Sequence, residues 1–387
     1  MTSSFPKVLV LSTTKISTVT ATGSAMRNLF GGWPKDRLAQ VHSVGGEADE
    51  DLCDRFFHIT EADIDRKGKL SKKLRAFITD FDPDTVYYRT IDEPAALGRL
   101  ALALHEQFGV AVVTHTMDDW LNRMTLAAAT PNEKTAAAEA AENLASVIKV
   151  AQANLAISDS MSTAMGRDYG THFQTFHNAI DFDEWRDVER TRSVETDGVF
   201  RIRYTGSLAA DMSRDSAKDL AHVVDVLAAE RRSIRLEFSS APWWRDVFDA
   251  EFRHFKNSRH VGFFDRPDYL QFLADADLAV IPINFDDHSL SYLQHSMSNK
   301  APEYMAAGLP VLCYGPLESA TVNYAHIAGW GLCVTERSAN ELGKAIRSLM
   351  DDHDARQALA SKTAEIGRGR HNAEANRERF GAALAQR

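Results

Sequence analysis

The chain has 387 residues, of which 44% are hydrophobic and 25% charged, which is typical of a globular protein with more than one domain. Its formal net charge of −10 argues against a nucleic-acid-binding protein, because neutralising phosphates requires a basic surface. No apolar run has the length of a membrane span, and Cys53, Cys313 and Cys333 lack the spacing of metal ligands. We therefore expect a cytoplasmic protein in a reducing compartment.

Apolar strands alternate with helices along the first half of the chain. The pattern predicts strands at 8–12, 85–89, 110–115 and 155–158, and helices at about 93–108 and 132–148. Near-continuous apolar strands of this kind are typical of parallel sheets. A basic stretch, Arg66 to Arg75, is expected at the start of a further helix. It is interpreted as a solvated helix face. The alternative is a patch that contacts anionic lipid headgroups, peripherally at the inner face of a membrane, or a phosphorylated acceptor.

The second half repeats this organisation after a charged, aperiodic linker predicted at 190–198. Strands are predicted at 200–205, 234–238, 278–282 and 309–313, with helices at about 216–229 and 266–274. The predicted fold class is α/β, with two Rossmann-like doubly wound domains at 1–190 and 199–370. A C-terminal helix at 371–387 is expected to pack back on the first domain. Two such domains facing each other would form a cleft at the carboxyl ends of their strands.

The most informative segment is Asn-Lys-Ala-Pro-Glu-Tyr-Met-Ala-Ala-Gly-Leu-Pro-Val at 299–311. Its pattern predicts a short helix that begins with Lys300 and Glu303 on one face and ends at Gly308. A lysine beside a helix N-terminus can bind phosphate, and a carboxylate can accept hydrogen bonds from sugar hydroxyls. The alternative is an ordinary surface Lys–Glu pair.

Together with four other segments, 299–311 resembles a GT-B glycosyltransferase of the large retaining group called family 4. The donor-binding pattern of that family is K-x-x-E-Y-M-A-x-G-x-P-V, and 299–311 is similar to it. The weaker similarities, in chain order, are Ala-Ile-Ser-Asp-Ser-Met at 156–161, His-Asn-Ala-Ile-Asp at 177–181, Tyr-Thr-Gly-Ser-Leu at 204–208 and Leu-Ala-Asp-Ala-Asp-Leu at 273–278.

The resemblance implies that the second domain binds the nucleotide-sugar donor. Lys300 would contact the diphosphate and Glu303 the ribose, while Gly206 and Ser207 would let the backbone approach the phosphates. The remaining implied donor residues are Arg214 and Lys218 as a basic pair, Asn299, and His295, which stands where the family often has a second acidic residue. Surface positions are the alternative for the basic pair, and a loop histidine is the alternative for His295.

The first domain would hold the acceptor. The family commonly has His-Asp after its third strand, and here Asp118 and Asp119 occupy that place, with His115 nearby. These three residues and Lys300 are the predicted catalytic set, although the two aspartates could instead cap the next helix. Arg89 and the loop residues Thr22, Gly23 and Ser24 are candidates for an acceptor or phosphate contact. A surface arginine and a tight turn capped by Ser24 are the alternatives.

The implied function is hexosyl transfer (EC 2.4) from a nucleotide sugar to a glycan, lipid-linked or other acceptor, in polysaccharide or glycoconjugate biosynthesis. Retention of configuration and independence from metals follow from the resemblance, and the nucleotide sugar is a co-substrate, so no cofactor is expected. Two alternatives stay open. The protein could hydrolyse or epimerise a sugar nucleotide, or it could be a non-catalytic binding or scaffold protein on the same fold.

Overall fold

The structure, a computed structural model, describes residues 5–18, 20–90 and 95–385. The chain divides into two compact units. The first comprises the chain up to residue 179, residues 295–297 and the chain from 373 onwards. The second comprises 180–294 and 298–372. Within the described ranges, no helix combines the length and the apolar character needed to cross a bilayer.

The first unit is built on a parallel sheet that has seven strands among its described residues. The strands run in the order β3-β2-β1-β4-β5-β6-β7, so the direction of winding reverses between β1 and β4. The strands are β1 Val8–Ser12, β2 Leu38–His42, β3 Phe56–His58, β4 Thr85–Arg89, β5 Ala111–Thr116, β6 Ala153–Ala156 and β7 Phe173–Thr175. The helices are α1 Ala21–Phe30, α2 Lys72–Phe81, α3 Ala95–Phe108, α4 Trp120–Ala127, α5 Pro131–Val150 and α6 Asp159–Tyr169.

The second unit repeats this winding with a six-stranded parallel sheet in the order β10-β9-β8-β11-β12-β13, counted over the residues that are described. Its strands are β8 Phe200–Thr205, β9 Ile234–Ser239, β10 Ser258–Gly262, β11 Leu278–Pro282, β12 Val311–Tyr314 and β13 Leu332–Val334. Its helices are α7 Val194–Asp197, α8 Arg214–Ala229, α9 Arg245–Glu251, α10 Arg266–Ala274, α11 Asp287–Leu293, α12 Lys300–Ala306, α13 Ala320–Ala328, α14 Ala339–Asp351 and α15 His353–Arg370. A 3₁₀ helix, Phe182–Trp185, precedes β8.

The last helix, α16 Ala373–Ala385, packs in the core of the first unit. The ring of Phe380 lies 5.0 Å from that of Phe30 and 5.3 Å from that of Tyr87, measured between centroids. The Thr85 hydroxyl donates a hydrogen bond of 2.9 Å to the Leu384 carbonyl. Aromatic contacts of this geometry and a buried hydrogen bond hold the chain terminus against β4 and α1.

Two aspartates anchor the segment that was predicted as a linker, 190–198. Asp277 accepts hydrogen bonds from the backbone N–H groups of Arg201 and Val194, at 2.8 and 3.0 Å. Asp275 accepts one of 2.6 Å from the backbone N–H of Thr191. Each aspartate is almost fully buried, so each satisfies its charge with these donors. The segment therefore belongs to the second unit as fixed structure, and the linker interpretation is wrong in this respect.

The basic stretch 66–75 differs from its prediction in one respect. Residues 66–70 form turns and an isolated bridge outside the helix, and α2 begins only at Lys72. Ser71 sets this start, because its hydroxyl accepts a hydrogen bond of 3.2 Å from the backbone N–H of Leu74. Lys72 and Lys73 are exposed. Contact with a membrane stays a prediction.

Candidate functional site

The site begins where Gly206 follows β8 at the winding reversal of the second sheet. Gly206 has a φ of +124°, a conformation that side-chain-bearing residues rarely adopt. A Cβ atom there would lie 2.9 Å from the Lys300 Nζ and still closer to its Cε. The lysine therefore occupies the space that any other residue at 206 would fill. Ligands bind at such reversals in doubly wound sheets.

Lys300 holds a positive charge that no carboxylate neutralises among the described residues. The side chain is partly buried, and its Nζ lies 5.3 Å from the centroid of the Tyr204 ring. Burial lowers the pKa of Lys300 to about 8. The group is thus mostly an ammonium at neutral pH, and a bound anion would stabilise it in that form.

Glu303 lies one turn further along α12, and its carboxylate is bound from the side by Arg266. The Arg266 Nη1 donates to both carboxylate oxygens, at 3.1 and 3.2 Å. Burial raises the pKa of Glu303, while the Arg266 charge opposes that shift. The same guanidinium donates to Glu184 Oε2 from Nε at 3.0 Å and from Nη2 at 2.5 Å. The predicted Lys–Glu pair is therefore two separate charges with different partners.

Tyr304 fixes α12 against the end of β8. Its hydroxyl accepts a hydrogen bond of 3.0 Å from the backbone N–H of Thr205 and lies 3.1 Å from the Thr205 Oγ1. The side chain is fully buried. Gly308, with a φ of +64°, follows the helix and allows the chain to turn toward β12. These contacts present Lys300 and Glu303 at the same edge of the sheet.

Arg214 and Lys218, the predicted basic pair, lie together on α8. Both form ion pairs with Glu251, the Arg214 Nη1 at 2.9 Å from its Oε1. The Arg214 Nε also donates a hydrogen bond of 2.8 Å to the Leu208 carbonyl. Glu251 therefore neutralises the charges of Arg214 and Lys218, whereas Lys300 has no such carboxylate partner among the described residues.

Ser207 directly follows Gly206 in the chain, and Asn299 directly precedes Lys300. The Ser207 carbonyl accepts hydrogen bonds from the hydroxyls of Tyr204 and Ser213, at 2.6 and 2.9 Å, and this fixes the turn after Gly206. Asn299 is exposed and directly precedes α12, without a side-chain hydrogen bond that caps the helix. These residues are near the site in the chain, and their role stays a prediction.

His295 belongs to the first unit together with residues 296 and 297. Its carbonyl accepts a hydrogen bond of 2.7 Å from the Ser158 hydroxyl, and its Nδ1 is buried and has no hydrogen-bond partner within the part of the chain that the structure describes. Asp119, which precedes α4, lies close enough to interact electrostatically with His295. Burial raises the pKa of Asp119, and the His295 and Asn122 side chains oppose the shift. The structure thus brings two of the predicted residues together.

His115 lies on β5 inside the first unit and is completely buried. Its Nδ1 shares a hydrogen bond of 2.8 Å with the Tyr87 hydroxyl. Burial lowers the pKa of His115 to about 3, so the ring is neutral at physiological pH. The geometry does not support the predicted contact of this residue with a donor or acceptor, and we assign it a packing role instead.

Three other predicted residues meet at the carboxyl ends of β4 and β5. Arg89 is buried, and its Nη1 donates a hydrogen bond of 2.8 Å to the Thr22 Oγ1, while its Nη2 lies 3.5 Å from Asp118 Oδ2. The Arg89 Nε contacts the Met117 sulfur at 3.1 Å. The interpretation of Arg89 as a surface arginine is therefore wrong. A charged cluster lies at the winding reversal of the first sheet as well.

Gly23 and Ser24 lie in the first turn of α1, and Thr20 rather than Ser24 caps that helix. The Thr20 Oγ1 accepts a hydrogen bond of 3.0 Å from the Gly23 backbone N–H. A Cβ at Gly23 would lie 2.8 Å from the Lys15 carbonyl oxygen and from the Ser17 nitrogen. Close packing of the loop on the helix explains this glycine without a ligand.

Sequence reasoning missed Arg266, Glu184 and Tyr304 as parts of the site. Arg266 is the first residue of α10, and a helix was predicted at about 266–274, but the local sequence does not indicate which carboxylates its side chain contacts. Glu184 lies in a short 3₁₀ helix that has no periodic signal. Tyr304 stands within the predicted segment, where its phenol could have been identified as a group that needs a hydrogen-bond partner when buried.

The comparisons with known proteins concern the family of the second unit and the fold of the whole chain. Residues 200–352 match the family model for Glycosyl transferases group 1. No curated protein has a sequence that matches the chain. Among solved structures, Anabaena HepE in complex with UDP-glucose is similar with a TM-score of 0.66 at 16% identity, covering 98% of this chain and 99% of the other.

Two further structures share the fold along nearly their whole length. A glycosyltransferase from Rickettsia africae has a TM-score of 0.67 at 13% identity, covering 98% of this chain and 99% of that one. Sucrose-phosphate synthase from Thermosynechococcus elongatus has a TM-score of 0.66 at 13% identity, covering 97% of each chain. The prediction of two Rossmann-like domains of the GT-B type is confirmed. The resemblance to group 1 glycosyltransferases is confirmed for residues 200–352.

Proposed function

We propose that this protein is a glycosyltransferase that moves a sugar from a nucleoside diphosphate sugar to a hydroxyl of a glycan, lipid-linked or other acceptor. The observation that carries the proposal is Lys300, a partly buried cation without a counter-anion among the described residues, held against Gly206 at the end of β8. Such a charge favours an anionic ligand of matching position, and a diphosphate is one. HepE, which has the same fold, was solved with UDP-glucose.

The spacing of charges along α12 suits the two ends of a nucleoside diphosphate. Lys300 would bind the diphosphate, and Glu303, an anion one helical turn away, would accept hydrogen bonds from the ribose hydroxyls. An anion at 303 would repel phosphate, so the two charges also orient the ligand. The positions of Gly206 and Ser207 allow the phosphates to approach the backbone.

In the proposed reaction the acceptor oxygen forms a bond to the anomeric carbon while the bond from that carbon to the diphosphate breaks. The diphosphate takes the electron pair of the broken bond, and the acceptor proton leaves with the nucleotide or with solvent. Lys300 would stabilise the negative charge that grows on the leaving group, and this interaction is stronger in the transition state than in the ground state. The proposal includes retention of configuration, for which the acceptor oxygen must approach the anomeric carbon from the face that the diphosphate leaves. It needs no metal, because Lys300 supplies the positive charge.

The first unit would bind the acceptor. Arg89, held by Thr22 and Asp118, places a cation at the winding reversal of its sheet, where an anionic or hydroxylated acceptor group could bind. Acceptor binding at Arg89 and a role in polysaccharide or glycoconjugate biosynthesis are further parts of the proposal. A screen of acceptors tests both.

Thermal stabilisation by a panel of nucleoside diphosphates and their sugars tests the donor site. A ligand at 100 times its Kd should stabilise the protein by about 2.7 kcal/mol. Lys300→Ala should reduce the affinity for the best ligand, and it should lower turnover on the order of 10²-fold. Lys344→Ala is the matched control, since Lys344 is an exposed lysine on α14 that pairs with Glu341.

The outcomes separate the alternatives. Stabilisation by one nucleotide sugar with transfer to an acceptor supports the proposal. Stabilisation without transfer, but with release of free sugar or a changed sugar, would instead indicate a hydrolase or epimerase. An unchanged melting temperature with every nucleoside diphosphate would refute the donor site.

A further inference from the structure

Arg266 is fixed in position by the start of helix α10. The preceding Asp265 caps the helix, since its carboxylate accepts a hydrogen bond of 3.2 Å from the Asp268 backbone N–H. Pro267 follows at the first turn, where its restricted φ favours the helix. The backbone of Arg266 is therefore held by two local devices, and its side chain extends from a defined point.

The guanidinium of Arg266 joins two carboxylates that belong to other elements. Its Nε and Nη2 bind Glu184 Oε2 at 3.0 and 2.5 Å, and its Nη1 binds the two oxygens of Glu303 at 3.1 and 3.2 Å. The rings of Trp185 and Tyr269 lie 5.9 and 5.6 Å from its carbon Cζ. Because the guanidinium group is planar and rigid, the hydrogen bonds of Nε and Nη2 to Glu184 also fix the direction in which Nη1 points.

The Glu303 carboxylate can accept further hydrogen bonds besides those from Arg266. An ionised carboxylate has about four lone-pair positions, two on each oxygen. The Arg266 Nη1 uses one position on each oxygen, so, counting donors among the described residues, one position remains on each. Two neighbouring hydroxyl groups need two acceptors of this spacing, and the 2′ and 3′ hydroxyls of ribose are such a pair.

We propose that Arg266, anchored by Glu184, is a positioning residue that orients the Glu303 carboxylate toward both ribose hydroxyls and thereby sets a preference for ribonucleotides over 2′-deoxyribonucleotides. The inference rests on the proposed function and adds a residue that determines how strongly a ribonucleotide is preferred over a 2′-deoxyribonucleotide. Arg266 acts on the ligand through Glu303.

The charged groups around Glu303 also affect the pKa of its carboxyl group. The titratable groups that interact with Glu303 are Arg266 and Tyr269 of α10, Glu184 of the 3₁₀ helix and Tyr304 of its own helix. Burial and Glu184 favour the protonated carboxyl, and Arg266 opposes both. Without the arginine, Glu303 would bind a proton at higher pH, and a protonated carboxyl is a poorer acceptor for two hydroxyl donors.

The experiment measures the affinity of the full-length protein for UDP and for 2′-deoxy-UDP, or for the matching pair of whichever diphosphate the panel selects. The native protein should prefer the ribonucleotide by about tenfold, the worth of one hydrogen bond to a charged group. Arg266→Gln should bring this ratio close to one, mainly by weakening the ribonucleotide. The small preference that remains in Arg266→Gln should grow as pH rises, because burial raises the pKa of Glu303 and only the ionised carboxylate accepts from both hydroxyls.

Two variants serve as comparisons. Glu303→Gln should abolish the preference at every pH, because an amide does not titrate. Arg245→Gln removes an exposed arginine that pairs with Asp249, and it should leave the ratio unchanged. Glu184→Gln should lower the ratio less than Arg266→Gln does, since Nη1 keeps its bonds to Glu303.

If Arg266→Gln lowers the affinity for both nucleotides equally, the positioning role of Arg266 is refuted, because a purely structural role would produce that result. An unchanged ratio in Glu184→Gln would remove the anchor from the proposal. Failure of the proposed function has a different signature: the native protein would bind neither nucleotide.

Discussion

Replacing Gly206 by alanine tests the contact on which the donor site depends. The residue has a φ of +124°, and a Cβ there would overlap the Lys300 side chain, 2.9 Å from its Nζ. Ordinary contact between nonbonded heavy atoms is about 3.5–4.0 Å. The lysine must therefore move by roughly 1 Å or more, or leave its place above the Tyr204 ring.

The expected magnitude has two parts. A side-chain-bearing residue in a sparsely populated backbone region costs about 1–3 kcal/mol. In a domain of 150–250 residues, 1 kcal/mol lowers the melting temperature by about 2–4 °C, so a fall of roughly 2–12 °C follows. Displacement of Lys300 adds a loss of nucleotide affinity of about ten- to a hundredfold, the worth of one charge-assisted hydrogen bond.

Calorimetry with and without the nucleoside diphosphate measures both parts. Gly329→Ala is the control for backbone strain, since Gly329 has a φ of +70° and nothing lies within 4 Å of a Cβ built there. That variant should lose stability and keep its affinity. Gly369→Ala, in an open helical position with ordinary φ, should be neutral or slightly stabilising. Normal nucleotide affinity in Gly206→Ala would refute the role of the Gly206–Lys300 contact.

Two further predictions concern charge. Because burial lowers the pKa of Lys300 to about 8, the ammonium is present below that pH, and affinity for the diphosphate should fall by up to about tenfold per unit above it. Lys300→Arg should remove this fall over pH 7–10 in a calorimetric titration; an unchanged fall would assign it to another group. Glu237→Gln should destabilise the fold by about 3–5 kcal/mol in urea unfolding, since the buried carboxylate pairs with Arg203 and Arg259. A loss below 1 kcal/mol would contradict that estimate.

Much of the fold follows from local sequence because the central strands are buried on both faces. β1, β4, β8 and β11 have the bounds that their apolar runs predict. The strands β3, β7 and β13 have three residues each, and these and the edge strand β10 are partly exposed, so their hydrophobic signal is weak. β2 is buried but includes Gln40 and His42, whose side chains find polar partners that only the tertiary structure supplies.

The candidate site was predictable where chemistry lies within one segment and unpredictable where it depends on contacts between segments. Lys300 and Glu303 stand in one short motif and are found by reading it. Arg266 reaches Glu303 from 37 residues away, and Glu184 reaches Arg266 from 82. His115 illustrates the converse, because its place near the end of a strand suggested catalysis, whereas the structure shows it completely buried and hydrogen-bonded to Tyr87.

The separation of Lys300 from Glu303 has a consequence for binding. An ion pair between residues three apart on a helix would have to be broken before either charge could bind a ligand, at the expense of affinity. Arg266 removes that competition by binding the Glu303 carboxylate, and Gly206 gives the lysine a place away from it. The ammonium is then available to a diphosphate. A ligand that carries both phosphate and ribose is therefore recognised by charges whose partners are already fixed by the protein.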